Sequence, residues 1–89
     1  MTPDCNIGSA YPNPFNPVTI VPLNLAKDAV VSATLYDIAG HPVRELHKGI
    51  ITAGSHDLKI KGANLSTGIY FVHIIVNDAV NVKKIVLMK

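Results

Sequence analysis

From Val18 onward the sequence consists of short runs rich in β-branched residues, broken about every ten residues by Gly, Pro, Asn or Asp. No stretch between breaks shows the 3.6-residue period of an amphipathic helix, so the chain is confined to strands. The clearest run alternates Val31, Ala33 and Leu35 with Ser32, Thr34 and Tyr36, as a strand with one face turned inward must. His56, Leu58 and Ile60 against Asp57, Lys59 and Lys61 repeat that pattern. Val18 to Leu25 reads as a strand turning Val18, Ile20, Leu23 and Leu25 inward, and Pro22, which cannot donate to a ladder, puts it at a sheet edge or a bulge. Pro42 to Leu46 reads as a return strand, Ile69 to Val76 as a central strand buried on much of both faces, and Val80 to Lys89 as the last strand.

The breaks have their own chemistry. Residues 26–29, Ala-Lys-Asp-Ala, read as a hairpin connection. Asp37-Ile38-Ala39-Gly40 supplies a turn in which Asp37 caps local amides and Gly40 takes positive φ. Gly49 to Gly54 is a second break, Gly62 to Gly68 a third, and Asn77-Asp78 a tight turn. Upstream, Tyr11 to Pro17 holds three of the six prolines and forms a stiff, non-helical lead-in. With 89 residues and 48% hydrophobic content the chain supports one core. We read residues 1–9 as a flexible lead-in and 10–89 as a single all-β sandwich of about seven short strands.

The same residues argue against several functions. A net charge of +2 is too weak to mark a nucleic-acid or anionic-lipid surface. The apolar runs fall well short of the roughly 20 residues of a membrane-spanning helix, and the opening Met1-Thr2-Pro3-Asp4 is not expected to act as a secretory leader, lacking a basic start and an apolar core. Cys5, the single cysteine, cannot form an internal bridge. His41, His47, His56 and His73 lack metal-ligand spacing, and no Ser stands in a nucleophile elbow. Asp4, Asp28, Asp37, Asp57 and Asp78 fall at or next to turns, where they bond local backbone. Two Phe, three Tyr and no Trp make a poor platform for sugars. The expectation is a chain with no catalytic set, no metal, no cofactor, no nucleic-acid partner and no direct membrane insertion.

Four segments, in order, carry a family likeness: Tyr11-Pro12-Asn13-Pro14-Phe15-Asn16-Pro17, Leu35-Tyr36-Asp37-Ile38-Ala39-Gly40, Leu65-Ser66-Thr67-Gly68-Ile69-Tyr70, and Lys83-Lys84-Ile85-Val86-Leu87-Met88-Lys89. Over about residues 10–89 they resemble the type A C-terminal sorting domain of the type IX secretion system of Bacteroidetes and related phyla. The resemblance implies an immunoglobulin-like antiparallel sandwich that serves as a secretion signal. An outer-membrane translocon would recognise it, and a surface sortase would commonly remove it. An N-terminal cargo would thereby be carried through the periplasm and outer membrane to the cell surface or beyond. It also implies recognition through Pro12, Asn13, Pro14, Gly68, Tyr70, Lys83, Lys84 and Lys89. Gly68 and Tyr70 have structural duties in any sandwich, and terminal lysines also guard an edge strand against aggregation. A basic pair before an apolar run is equally something a receptor can grip by strand addition. The alternatives are a structural or interaction module, such as a spacer or a relative of the flagellar hook-capping domain, and a carbohydrate-binding module of a secreted hydrolase.

Overall fold

The computed structural model describes residues 5–13 and 17–88. Among them are seven strands and no helix: β1 (Cys5–Ile7), β2 (Val18–Leu25), β3 (Ala29–Asp37), β4 (Pro42–Ile51), β5 (Gly54–Lys61), β6 (Gly68–Val76) and β7 (Ala79–Leu87). They form two antiparallel sheets, ordered β1-β2-β5 and β4-β3-β6-β7. The chain is an all-β sandwich, as the strand pattern predicts. Compared with the immunoglobulin constant arrangement, strands 1, 2 and 5 share one sheet and strands 3, 6 and 7 the other, while the fourth lies beside the third.

Alternation sorts the side chains. Val31, Ala33 and Leu35 of β3 face inward, as do Leu58 and Ile60 of β5 and every second residue of β6 from Tyr70 to Val76. From the smaller sheet Val21, Leu23 and Leu25 meet them, and from β7 come Ile85 and Leu87. Each of these large side chains contributes about 1.5–3 kcal/mol by leaving water.

β2 differs from the sequence reading in parity. Thr19 and Val21 are buried, while Val18 and Ile20 are half-buried. The pairing of β2 with β5 runs without a shift from Val18↔Lys61 to Leu25↔Gly54, so the face cannot change midway, and Leu23 and Leu25 fix the odd positions inside. The buried Thr19 hydroxyl is satisfied by donating to the Pro12 carbonyl at 2.8 Å.

Pro22 does not make β2 an edge; β2 is the middle strand of its sheet. The proline is tolerated because β1 pairing stops at Ile7↔Leu23. Gly8, next in the chain, donates its amide to the Pro22 carbonyl at 2.9 Å. A Cβ on Gly8 would lie 2.6 Å from Pro22 Cγ, so glycine is what lets the chain pass.

Two breaks also differ. Residues 26–28 carry the chain from one sheet to the other rather than closing a hairpin. Asp28 Oδ1 accepts the Ala53 amide at 2.7 Å, tying this crossing to the parallel one between β4 and β5. β4 continues to Ile51 because Gly49, at φ 140°, stays in register opposite Val31, leaving only Thr52-Ala53 as the break. The Asp37 turn forms as predicted: its Oδ1 accepts the Ala39 and His41 amides at 3.0 and 2.9 Å, and Gly40 has φ 87°.

Candidate functional site

The four sequence motifs, dispersed along the chain, meet across one band of the larger sheet. Asp37 lies level with Tyr70, and Tyr70 with Ile85. Beyond Ile85, on the open side of β7, stands Asn13. Its Nδ2 donates to the Lys84 carbonyl at 3.1 Å, and its Oδ1 accepts the Val86 amide at 2.9 Å. A residue of a parallel strand bonds the two positions flanking its partner in this same way, so one side-chain amide here stands in for a strand.

The lead-in delivers Asn13 to that place by changing sheets. Residues 5–7 run along β2 as β1, and Tyr11 then exchanges two backbone hydrogen bonds with Ile20, at 2.9 and 3.0 Å. The Tyr11–Pro12 peptide is cis. Thr19 holds the Pro12 carbonyl, and the next side chain reaches β7 of the other sheet. Pro12 and Asn13 are thus a bracket between the two layers, both exposed.

Gly68 and Tyr70 lie on the opposite flank of β7. Gly68 opens β6 opposite Leu87 at φ 155°, a conformation that favours glycine. Tyr70 is buried, and its hydroxyl donates to the Ser66 carbonyl at 2.6 Å, closing the loop before β6. Lys83 and Lys84 are neighbours on β7 and therefore point to opposite faces; Lys83 is half-buried and Lys84 exposed. A partner approaching the edge of the sheet meets both ammonium groups, whereas one lying on a face meets one. Pro14 and Lys89 lie outside the described residues.

Among the described residues His41, His56 and His73 are engaged in local contacts. His56 Nε2 lies 2.7 Å from the Thr52 carbonyl, the His73 ring stacks on Tyr36 with centroids 4.2 Å apart, and His41 stands 3.9 Å from Asp37. Among the described residues no three His, Cys, Asp or Glu gather as a metal site would require. Nor is any helix long and apolar enough to cross a membrane. The open depression of about 220 Å³ beside Gly8, Pro22, Ser55, His56 and Asp57 lies on the smaller sheet, not on the band of β6 and β7. Of the tyrosines, Tyr70 is in the core and Tyr36 half-buried against His73, which leaves Tyr11 as the exposed ring.

Sequence reasoning missed two parts of this arrangement. Thr19 carries the bracket, and its signal was a lone hydroxyl in an apolar strand. The Val86 amide donates to Asn13, and nothing local to Val86 announces that.

The family described as the secretion system C-terminal sorting domain matches residues 9–88. No curated protein and no solved structure gave a match. Matched over nearly its whole length, the chain belongs to the C-terminal sorting domains, the signals that direct proteins into type IX secretion.

Proposed function

We propose that the translocon of the outer membrane recognises the edge of β7 together with the Asn13 bracket, as one folded surface. Membership in the sorting family makes the chain part of a larger cargo protein bound for the cell surface or the medium. In this reading Lys83 and Lys84, with Lys89, supply the charges that the translocon grips. Pro12 and Asn13 hold the neighbouring rim, Pro14 belongs to the same recognition set, and Gly68 and Tyr70 keep β6 in place behind that rim. A surface sortase acts after passage through the periplasm and outer membrane. Residues 10–89 suffice as the signal, residues 1–9 lead into it, and the domain itself catalyses nothing and needs no cofactor.

The observation that supports this most is the Asn13 carboxamide on the β7 edge, which joins the proline motif to the lysine motif. The test fuses residues 10–89 to a periplasmic reporter in a bacterium with the type IX apparatus. Export should fall at least tenfold for the Lys83→Ala/Lys84→Ala pair while the purified domain keeps its unfolding midpoint. Undiminished export by that folded variant would overturn the assignment of the lysines, and retention of the unaltered fusion would overturn the sufficiency of residues 10–89.

A further inference from the structure

The edge strands of the two sheets are not equally guarded. β4 carries Arg44, Glu45 and Lys48 and two register shifts, β5 carries Asp57, Lys59 and Lys61, and β1 is three residues long. These are the usual defences against a strange strand. β7 has none between Ala79 and Val82, and Val80 and Val82 are 61% and 50% exposed. Since Asn13 bonds the Lys84 carbonyl and the Val86 amide on the side away from β6, the backbone groups of Val80 and Val82 face that side too. Among the described residues nothing pairs with this short, uncharged, hydrogen-bonding edge, which has Asp78 at one end and Lys84 at the other.

We infer that this edge pairs with the same edge of a second copy of the chain, antiparallel, about a two-fold axis at Asn81. The register follows from three requirements. Outward-facing residues must pair with outward-facing residues, so the sum of partner numbers is even. The Lys84 carbonyl is already taken by Asn13, which excludes an axis at Val82. An axis at Val80 would set Lys84 against Val76, which lies on β6 across the hairpin. At Asn81, Val80 of each copy meets Val82 of the other through four backbone hydrogen bonds, and Lys84 comes level with Asp78 of the other copy at both ends. Self-complementarity of this kind is what an isologous contact demands. The joined sheets place Val80 and Val82, and beside Val80 its register partner Ile75, on one continuous outer face.

The contact is small and belongs to the weak class, below about 1,200 Å². Sedimentation equilibrium up to about 1 mM should therefore show a reversible dimer. Val82→Pro removes an outward amide without touching the ladder to β6 and should weaken association at least tenfold. Lys84→Glu alone should weaken it several-fold, and Asp78→Lys combined with Lys84→Glu should restore it, since the swapped charges again oppose each other. A domain monomeric at about 1 mM would overturn the proposal, leaving the edge for a strand of another protein. So would a dimer indifferent to Val82→Pro, or one that the double charge swap fails to restore. Because these readouts concern the isolated domain, they stand or fall separately from export.

Discussion

Replacing Asn13 by Ala isolates the bracket between the proline lead-in and β7. The substitution removes two hydrogen bonds, of 3.1 and 2.9 Å, and no core packing, because Asn13 is exposed. A net hydrogen bond contributes about 0.5–1.5 kcal/mol, and water can reach these freed backbone groups, so the combined loss should be about 1–2 kcal/mol. In a domain of this size that lowers Tm by about 5–15 °C. Amide hydrogen exchange gives the sharper reading. The Val86 amide should exchange in Asn13→Ala as an open-edge amide does, while the Ile85 and Leu87 amides, which face β6, keep their protection. Asn13→Asp keeps the acceptor for Val86 and loses the donor to Lys84, so Val86 should stay protected while part of the stability goes. Undiminished protection of Val86 in Asn13→Ala, with Tm unchanged, would refute the reasoning.

Substitutions at four other positions test separate parts of the fold by denaturant unfolding. Tyr70→Phe leaves the ring in the core and loses the bond to Ser66, for a cost of about 1 kcal/mol, whereas Tyr70→Ala should cost about 3–5 kcal/mol. Gly68→Ala meets no atom within 4 Å, so its cost is the backbone conformation alone, about 1–3 kcal/mol. Thr19→Val keeps the buried shape but takes the donor from the Pro12 carbonyl; about 0.5–1.5 kcal/mol should be lost. The buried Nε2 of His47 has no hydrogen-bond partner among the described residues, so His47→Leu should leave stability unchanged or raise it.

What could be read from residues alone was what neighbours decide. β3, β5 and β6 announce themselves because alternation and β-branching act within a few positions, and the Asp37 turn because one carboxylate reaches two nearby amides. The parity of β2 was hidden by Pro22, which looked like an interruption and is instead absorbed where β1 ends. Residues 26–28 were equally suited to closing a hairpin or changing sheets, and the choice is made by Asp28 bonding Ala53, a partner 25 residues away. The motif resemblance put Asn13, Lys84, Gly68 and Tyr70 in one functional group, but not in one band. Asn13 and Lys84 are separated by 71 residues, and no local pattern carries information over that distance.

That separation has a consequence for when the signal comes into being. During synthesis, Pro12 and Asn13 leave the ribosome long before their partner strand exists. Ile85 and Leu87, both fully enclosed once folded, emerge in the last few residues described. A polypeptide released early, anywhere before Ile85, therefore lacks part of its interior and the edge on which Asn13 settles. Prematurely terminated products should remain open and proteolytically vulnerable, so the topology proofreads translation before any transport begins.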